Sequence, residues 1–412
     1  MNSNNNPPIF RNSINCSRRS FICSSAAALS TLIMAPQLVR GADANTKISL
    51  GLIGCGGRGS WITNLFKQNG GYEIVAAADY FQDRVDAFGQ KYNIDPSKRF
   101  TGLNGYKKLL ECKLDAVAII SPPCFHPEQA AAAVDAGKHV YLAKPIAVDV
   151  PGCRTISESG KKAGEKKLAF LIDFQTRATA FYQEAIKRVH EGAIGNFTFA
   201  ETCYQCGALG IQAPPGTPES RLRNWVFEIA LSGDIIVEQN IHTLDVMNWV
   251  FQKPPMHVIG SGGRKVRLEA GDCNDHFGLV YQYGDGVPVL FNSKQYNDGA
   301  GEHDKGIVVN VMGSLGRLET KYGGKVMVLG KNFYAGGATS GIYQDGAVAN
   351  IATFHKQVTS GEISNTTVEP SVQSNMIAIM GRTAAYQKKL ITWDEFVKSD
   401  EKLDLKLDGL KG

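Results

Sequence analysis

Three ionisable residues near the middle of the chain have a spacing suited to proton transfer. Glu238, His242 and Asp245 are four and three residues apart, so they share one face if this stretch is helical. An imidazole with an ordinary pKa near about 6.5 can accept a proton at neutral pH. A capped or salt-bridged helix face is the alternative interpretation. A metal site is disfavoured because no H-E-x-x-H pattern accompanies these residues.

A lysine and a histidine follow two apolar runs that are typical of buried strands. Residues 116–120 lead into Ser121-Pro122-Pro123-Cys124-Phe125-His126, and residues 139–142 lead into Ala143-Lys144-Pro145. Ligands of open parallel sheets bind outside the carboxyl ends of the strands. A lysine on an arbitrary surface loop is usually only solvated, but this position favours a functional role. Both loops are therefore predicted to face a ligand.

A glycine pattern near residue 50 predicts what that ligand is. The apolar residues 48–53 run into Gly54-x-Gly56-x-x-Gly59, and residues 61–66 continue with helical spacing. This strand, turn and helix is the context of the dinucleotide fingerprint, in which the helix N-terminus receives the pyrophosphate. A glycine-rich turn without a ligand is the alternative for the pattern alone. The residues of the turn predicted to bind the cofactor are Gly54, Gly56, Gly57, Arg58 and Gly59.

A carboxylate twenty residues after Gly59 supports the dinucleotide interpretation. Asp79 ends the apolar run 74–78, where an acid is expected to accept hydrogen bonds from the adenosine ribose. The acid would repel a 2′-phosphate, so NAD is predicted over NADP. Arg84 lies close enough to weaken that preference and is itself a candidate cofactor-binding residue.

The elements that position these residues alternate between strands and helices. Strands are predicted at 48–53, 74–78, 116–120, 139–142 and 169–174, with helices at 61–68, 82–92, 106–111, 127–136 and 150–163. Such alternation is typical of an α/β fold with a parallel sheet. Residues 45–174 are therefore predicted to form a Rossmann dinucleotide-binding domain.

Residues 175–412 have a different pattern and are predicted to form an α+β substrate-binding and oligomerisation domain with a large, mostly antiparallel open sheet. Strands are predicted at 197–204, 257–260, 277–283, 287–291, 306–312, 317–319 and 326–329. Helices are predicted at 181–191, from about 231 or 235 to 251, at 348–358 and at 372–386.

Residues 1–44 have the pattern of a targeting segment. Paired Arg18 and Arg19 precede a modest apolar run at 23–34, and Ala42-Asp43-Ala44 follows as a possible cleavage site. The pattern resembles a twin-arginine signal, which would recruit the twin-arginine export machinery and deliver a folded protein to the periplasm. The apolar run is shorter than the roughly 18 to 20 residues of a membrane span, so no stable anchor is expected. An enzyme exported in this way is predicted to hold its cofactor tightly and recycle it.

Charge and cysteine content exclude some other classes of function. The formal net charge is +5, but residues 1–44 contain four arginines and one aspartate, which leaves +2 on the rest. No nucleic-acid partner is expected. Cys203-x-x-Cys206 lacks the second pair of a zinc site, so free thiols are expected instead.

Taken together, these motifs resemble the Gfo/Idh/MocA family, named for glucose-fructose oxidoreductase and inositol dehydrogenase. In that family a loop ends in a histidine, as Ser121-Pro122-x-x-x-His126 does here, and Lys144-Pro145 matches a Glu-Lys-Pro tripeptide whose lysine lies by the nicotinamide. The second-domain motif Asp-x-x-x-His-x-x-Asp is matched by Glu238, His242 and Asp245. Ala143 and Glu238 depart from the family's usual Glu and Asp.

The resemblance implies further cofactor contacts and a substrate pocket. Ser121, Pro122, His126, Lys144 and Pro145 would contact the cofactor. The residues implied for the substrate pocket are Gln175, Arg177, Tyr182, Arg223, Asn224 and Trp225.

The expected activity is hydride transfer between NAD and a secondary alcohol of a sugar, sugar derivative or cyclitol. In this scheme His242 is the base, Glu238 or Asp245 orients it, and Lys144 stabilises the developing alkoxide or relays the proton. The first alternative is a redox glycosidase, which oxidises, eliminates, hydrates and reduces back on a retained NAD. A sugar-binding protein without catalysis is a further alternative. A homodimer or homotetramer formed through the large sheet is expected from the resemblance.

Overall fold

A six-stranded parallel sheet forms the first half of the protein in the computed structural model, which describes residues 47–284, 286–299, 306–340 and 344–412. The strand order is β3-β2-β1-β4-β5-β6. The strands are β1 (Ile48–Ile53), β2 (Tyr72–Asp79), β3 (Arg99–Thr101), β4 (Ala116–Ile119), β5 (His139–Ala143) and β6 (Phe170–Asp173). Because neighbouring strands are parallel, their carboxyl ends meet at one edge of the sheet.

Five helices cover the two faces of this sheet. They are α1 (Gly57–Asn69), α2 (Gln82–Tyr92), α3 (Gly105–Glu111), α4 (His126–Asp135) and α5 (Val150–Glu165). The central strand β4 is buried at every position, which is why its sequence Ala-Val-Ala-Ile is continuously apolar rather than alternating. The predicted α/β fold of this half is confirmed.

A nine-stranded sheet dominates the second half, in the order β14-β13-β12-β11-β7-β10-β9-β8-β15. Its strands are β7 (Phe197–Cys206), β8 (His257–Gly263), β9 (His276–Tyr283), β10 (Val287–Gln295), β11 (Ile307–Gly313), β12 (Gly316–Lys321), β13 (Lys325–Gly330), β14 (Tyr334–Ala338) and β15 (Ile391–Thr392). Among the described strands of this second sheet, only β7 and β10 pair in parallel, so the sheet is mostly antiparallel, as predicted.

Helices pack on one face of this sheet and leave the other face open. The remaining helices are α6 (Gln175–Ala178), α7 (Ala180–His190), α8 (Pro218–Arg223), α9 (Ile229–Ser232), α10 (Ile235–Glu238), α11 (Ile241–Phe251), α12 (Gln344–Ser360), α13 (Val368–Gln387) and α14 (Trp393–Phe396). Helix α13 packs against α5, α11 and β8, so it joins the helices of both halves. Among the described residues, no helix is both long and apolar enough to span a membrane.

The prediction of one continuous helix ending at residue 251 is wrong. This stretch is divided into α9, α10 and α11, with left-handed backbone at Gly233 (φ 80°) and Asp234 (φ 77°) between the first two. The Asp234 carboxylate caps α10 by accepting from the Ile235 amide. Strands β3 and β14 were not predicted, because they are short or glycine-rich and lack an apolar alternation.

Candidate active site

The glycine turn after β1 has the geometry of a phosphate-binding loop. Gly54 has φ of 98°, and a Cβ atom built on it would lie 2.6 Å from the Ile120 carbonyl carbon. A Cβ on Gly59 would lie 1.9 Å from the Gly54 carbonyl oxygen, so α1 approaches the strand too closely for any side chain. Gly56, in contrast, has only the Arg84 guanidinium within 4 Å of such an atom. A pyrophosphate can therefore reach the backbone at Gly56.

A cavity of about 550 Å³ extends from this turn along the carboxyl edge of the parallel sheet. That volume lies in the range of small-molecule and cofactor sites. Its lining includes the predicted cofactor residues Gly54, Gly56, Gly57, Arg58, Gly59, Asp79, Arg84, Ser121 and Pro122. Helix α1 begins at Gly57 with no acidic residue in its first turn, so its free N–H groups and its positive dipole end are available to an anion. The residues present thus fit a dinucleotide.

Asp79 lies where a ribose would be recognised. Its two carboxylate oxygens accept from the backbone N–H groups of Cys55 at 2.7 Å and Phe81 at 3.0 Å. Burial raises the pKa of Asp79, and these two hydrogen bonds oppose the rise. Each oxygen keeps a further lone pair that a ribose hydroxyl can use. The Arg84 guanidinium stacks on the Phe81 ring 4.9 Å from its centroid, beside the same end of the cavity.

His126 ties two loops together rather than lining the cavity. Its ring nitrogens lie 2.8 Å from the Pro145 carbonyl oxygen and 2.7 Å from the Ser121 carbonyl oxygen. Burial lowers the pKa of His126 to about 4. A neutral ring has one N–H and can donate to only one of these carbonyl oxygens, and the contact with Pro145 is the one that joins the loop after β4 to the loop after β5. Neither His126 nor Pro145 is among the residues that line the cavity, so a direct cofactor contact by either stays a prediction.

Lys144 immediately follows β5, is partly buried with 14% of its side chain exposed, and contacts Glu238 from the second half of the chain. Its Nζ donates to the Glu238 carbonyl oxygen at 2.7 Å and lies 3.7 Å from the Glu238 carboxylate. Burial lowers the pKa of Lys144, the positive charge of Arg58 adds to this, and the Glu238 carboxylate opposes it. Glu238 in turn lines the cavity. The Lys144 amine, whose pKa is lowered, is thus in contact with a residue that lines the cavity, although Lys144 itself is not among the lining residues.

His242 lies in the first turn of α11 and is largely buried. Burial lowers the pKa of His242 well below its usual value, and the positive charges of Lys144 and Arg58 lower it further. The prediction that one helix carries Glu238, His242 and Asp245 is wrong, because α10 ends at Glu238 and α11 begins at Ile241. Residues 239–240 lie outside both helices, so helical spacing does not determine the position of His242 relative to Glu238.

Asp245 accepts hydrogen bonds from an arginine and a serine, and its predicted role in orienting His242 stays a prediction. Its fully buried carboxylate accepts from Arg177 Nε at 2.9 Å and from Ser374 Oγ at 2.7 Å. Arg177 also stacks on Trp249, at 5.3 Å from the ring centroid. The Arg177 guanidinium, predicted to bind substrate, thus neutralises a buried carboxylate between α6, α11 and α13. Glu238 remains the candidate that acts together with His242 and Lys144.

The predicted substrate residues are divided between two regions. Gln175 is buried and donates from its amide to Asp173 at 2.8 Å, while Tyr182 is buried in the main core. Arg223 lies at the Asp79 end of the cavity, where it donates to Asp83 at 2.7 Å, and its role in substrate binding stays a prediction. The next residue, Asn224, is buried, and its side-chain amide hydrogen-bonds with the backbone at residues 212 and 213 in the loop before α8. Trp225 lines the same end of the cavity.

Asp173 is a site residue that the sequence interpretation missed. It is buried at the end of β6 and accepts from Asn350 Nδ2 at 2.8 Å and from Arg58 at 3.5 Å. Its charge raises the pKa of Lys144 slightly against the effect of burial. The signal that could have found it is the one used for Asp79, an acid at the carboxyl end of an apolar strand on the same sheet edge.

Comparison with known proteins shows the family of this chain. Residues 48–170 match the model of the oxidoreductase family GFO_IDH_MocA, with its NAD-binding Rossmann fold, and residues 182–319 match the model of the GFO/IDH/MocA C-terminal domain. Together the two matches cover more than half of the chain. The predicted NAD-binding oxidoreductase is thereby confirmed.

Individual relatives have low sequence identity to this chain. Inositol 2-dehydrogenase 2 of Saccharopolyspora erythraea is 25% identical over 67% of this chain and 76% of its own length. The scyllo-inositol 2-dehydrogenase (NAD(+)) of Bacillus subtilis is 23% identical over 48% of this chain and 52% of its own. The structure of myo-inositol 2-dehydrogenase from Lactobacillus plantarum has a TM-score of 0.66, is 20% identical, and covers 84% of this chain and 99% of its own. This structural similarity shows that the two proteins share a fold.

Proposed function

We propose that this chain, which belongs to the Gfo/Idh/MocA family of oxidoreductases with an NAD-binding Rossmann fold, transfers hydride between NAD and a secondary alcohol of a sugar or cyclitol. One observation carries the proposal. Lys144 and His242 both have a pKa lowered by burial, and they lie close enough that the charge of one affects the other. The names of the inositol dehydrogenase relatives support the class of substrate.

The residues around Lys144 can move the proton that such a reaction releases. A bound NAD supplies the hydride acceptor. His242, neutral at physiological pH because its pKa is lowered, accepts the hydroxyl proton at a ring nitrogen. Lys144 donates a hydrogen bond to the substrate oxygen as negative charge develops there. Glu238 holds the Lys144 Nζ in place through its carbonyl and its carboxylate.

We also propose that the protein is exported, holds its NAD tightly and forms a homodimer or homotetramer. The support for export is the Arg18-Arg19 pattern in residues 1–44, which lie outside the described residues. The support for oligomers is an apolar row on the open face of the large sheet. Ile259 of β8 pairs with Val280 of β9, which pairs with Leu290 of β10. Ile259 and Leu290 are exposed, so a second sheet can cover this row.

The test begins with the purified protein as isolated. Denaturation should release NAD or NADH, which is identified by its absorbance and mass. The native protein is then incubated with myo-inositol, scyllo-inositol, aldoses and aryl glycosides. Net NADH or a reduced co-substrate supports the proposal. Aglycone release without net NADH would support the redox glycosidase instead. A protein that binds no dinucleotide, either as isolated or when NAD is added, would contradict the proposal.

Two substitutions test the roles assigned to the site. Lys144→Met and His242→Asn should each lower kcat by about a hundredfold or more, the usual contribution of a positioned acid or base. NADH affinity should change only a few-fold. The matched controls are Lys138→Met, whose Nζ binds the Leu114 carbonyl oxygen, and His190→Asn on α7. Turnover that survives both active-site substitutions would show that the assignment is wrong.

A further inference from the structure

Residues 207–226 of the second half, which we call the strap, form a wall of the dinucleotide cavity. At the Asp79 end, the cavity is bounded on one side by the loops after β2 and β3 of the parallel sheet. On the other side it is bounded by the strap. The strap residues that line the cavity are Leu209, Gly210, Gln212, Leu222, Arg223, Trp225 and Val226. The Rossmann fingerprint therefore provides only part of the enclosure around the adenosine end.

One ion pair fastens the strap to the parallel-sheet half. Arg223 donates from its guanidinium to the Asp83 carboxylate at 2.7 Å, and the same guanidinium stacks on the Phe81 ring at 3.9 Å. Asp83 is the second residue of α2, and Phe81 immediately precedes that helix. We call the Arg223–Asp83 pair, with its stack on Phe81, the latch. Two of its members, Phe81 and Arg223, line the cavity, and its residues from the parallel-sheet half lie two and four residues beyond Asp79.

Residues 401–412 reinforce the strap from outside. Arg221 of the strap donates to the carbonyl oxygens of Leu405 at 2.7 Å and Lys406 at 3.1 Å. Lys411 accepts at its carbonyl from the Leu103 amide, and its own amide donates to the Tyr80 hydroxyl. The apolar residues of the segment pack with Phe81 and Leu222. Both segments thus meet around the loops at residues 79–84 and 102–103.

We propose that the strap is part of the adenosine-binding site and that the latch must open before the dinucleotide can leave. The inference rests on the proposed function only in requiring a bound dinucleotide. Arg223 is then a cofactor-retaining residue rather than a substrate-binding one. Enclosure at this end makes release depend on separating α8 from α2, so the dissociation rate is set partly by the latch.

Charge substitution separates this mechanism from simple electrostatic attraction. The pyrophosphate of the dinucleotide is anionic, so removing the negative charge of Asp83 should slow release if only the local field matters. If the latch matters, Asp83→Asn should speed release, because Arg223 loses its partner. Arg223→Gln should speed release under either mechanism. The sign of the Asp83→Asn effect is therefore decisive.

The experiment measures release of NADH from the loaded, full-length protein. NADH-loaded protein is mixed with excess NAD, and the decay of energy transfer from tryptophan to NADH gives the dissociation rate. Trp225 lines the cavity, and the Trp61 ring lies 4.0 Å from the guanidinium of Arg58, which also lines it, so both tryptophans serve as donors. Arg223→Gln and Asp83→Asn should each accelerate release by roughly three- to tenfold, the size expected for an exposed ion pair combined with a cation–π stack. The exchanged pair Asp83→Arg with Arg223→Asp keeps the total charge and should recover most of the loss.

The control is Arg154→Gln. Arg154 of α5 also ties the parallel-sheet half to the closing part of the chain, through Asp400 and the Val397 and Ser399 carbonyl oxygens, but away from the cavity. The NADH dissociation rate of Arg154→Gln should stay within about twofold of the rate of the unsubstituted protein. Slower release from Asp83→Asn, or unchanged release from Arg223→Gln, would overturn the latch while leaving the proposed function intact. A parent protein that binds no NADH would instead overturn the proposed function.

Discussion

Replacing Gly59 with alanine should damage the dinucleotide site and the fold together. The new Cβ would lie 1.9 Å from the Gly54 carbonyl oxygen and 3.3 Å from Leu52 Cδ2. Relief requires α1 to move away from β1 by about 1 Å or more, because non-bonded carbon contacts lie near about 3.5 Å. Overpacking of this kind costs about 1–3 kcal/mol of folding free energy.

The same movement carries the first N–H groups of α1 away from the pyrophosphate. A hydrogen bond to a charged group contributes about 1.5–3 kcal/mol, so losing one lowers affinity by roughly ten- to a hundredfold. Gly59→Ala should therefore weaken NADH binding by at least about tenfold in a fluorescence titration. Urea unfolding of the cofactor-free protein should show the loss of stability separately.

The matched control is Gly164→Ala in α5, where nothing lies within 4 Å of the added atom. Alanine is favoured over glycine in helices, so this variant should be unchanged or more stable by up to about 1 kcal/mol. NADH affinity should also be unchanged. If Gly59→Ala matched Gly164→Ala in both stability and NADH affinity, the close approach of α1 to β1 would not be what makes glycine necessary at residue 59.

Three further predictions concern charge and burial. The folded-state pKa of His126 is about 4, below an unfolded value near about 6.5. Its contribution to stability is thus present above about pH 6.5 and lost as pH falls towards 4, by at most about 3 kcal/mol because the imidazolium can donate to both carbonyls. His126→Gln should flatten urea unfolding free energies over that pH window, and an unaltered slope would contradict the assignment. Asp245→Asn leaves Arg177 without its buried partner and should cost about 3–5 kcal/mol in urea unfolding. A loss below about 1 kcal/mol would show that the pair is dispensable. Asp79→Asn removes the charge that repels a 2′-phosphate, so the ratio of NADP to NAD affinity should rise, and a constant ratio would assign discrimination elsewhere.

Sequence patterns predicted the parts of this protein that are determined locally. The turn from Gly54 to Gly59 follows from strand, glycine and helix signals within twenty residues, and β1 and α2 have the predicted bounds. Sequence spacing failed to predict which residues share a helix where the backbone departs from regular helical geometry. Glu238, His242 and Asp245 have helical spacing, but the backbone break after Glu238 places them on two helices. Sequence spacing also could not predict that Asp245 pairs with Arg177, because the two residues are 68 positions apart in the chain.

The charge balance around Lys144 shows why residue type alone does not determine the chemistry of the site. Lys144 follows β5 and Asp173 ends β6 at the same edge of the parallel sheet, while Arg58 comes from α1 and Glu238 from α10. Each residue by itself reads as an ordinary surface charge. Burial lowers the pKa of His242, and the positive charges of Lys144 and Arg58 lower it further, while Glu238 and Asp173 oppose the lowering of the Lys144 pKa by burial. A neutral base beside a cation with a lowered pKa is therefore a property of the fold, and the glycine turn that starts α1 contributes to it by placing Arg58.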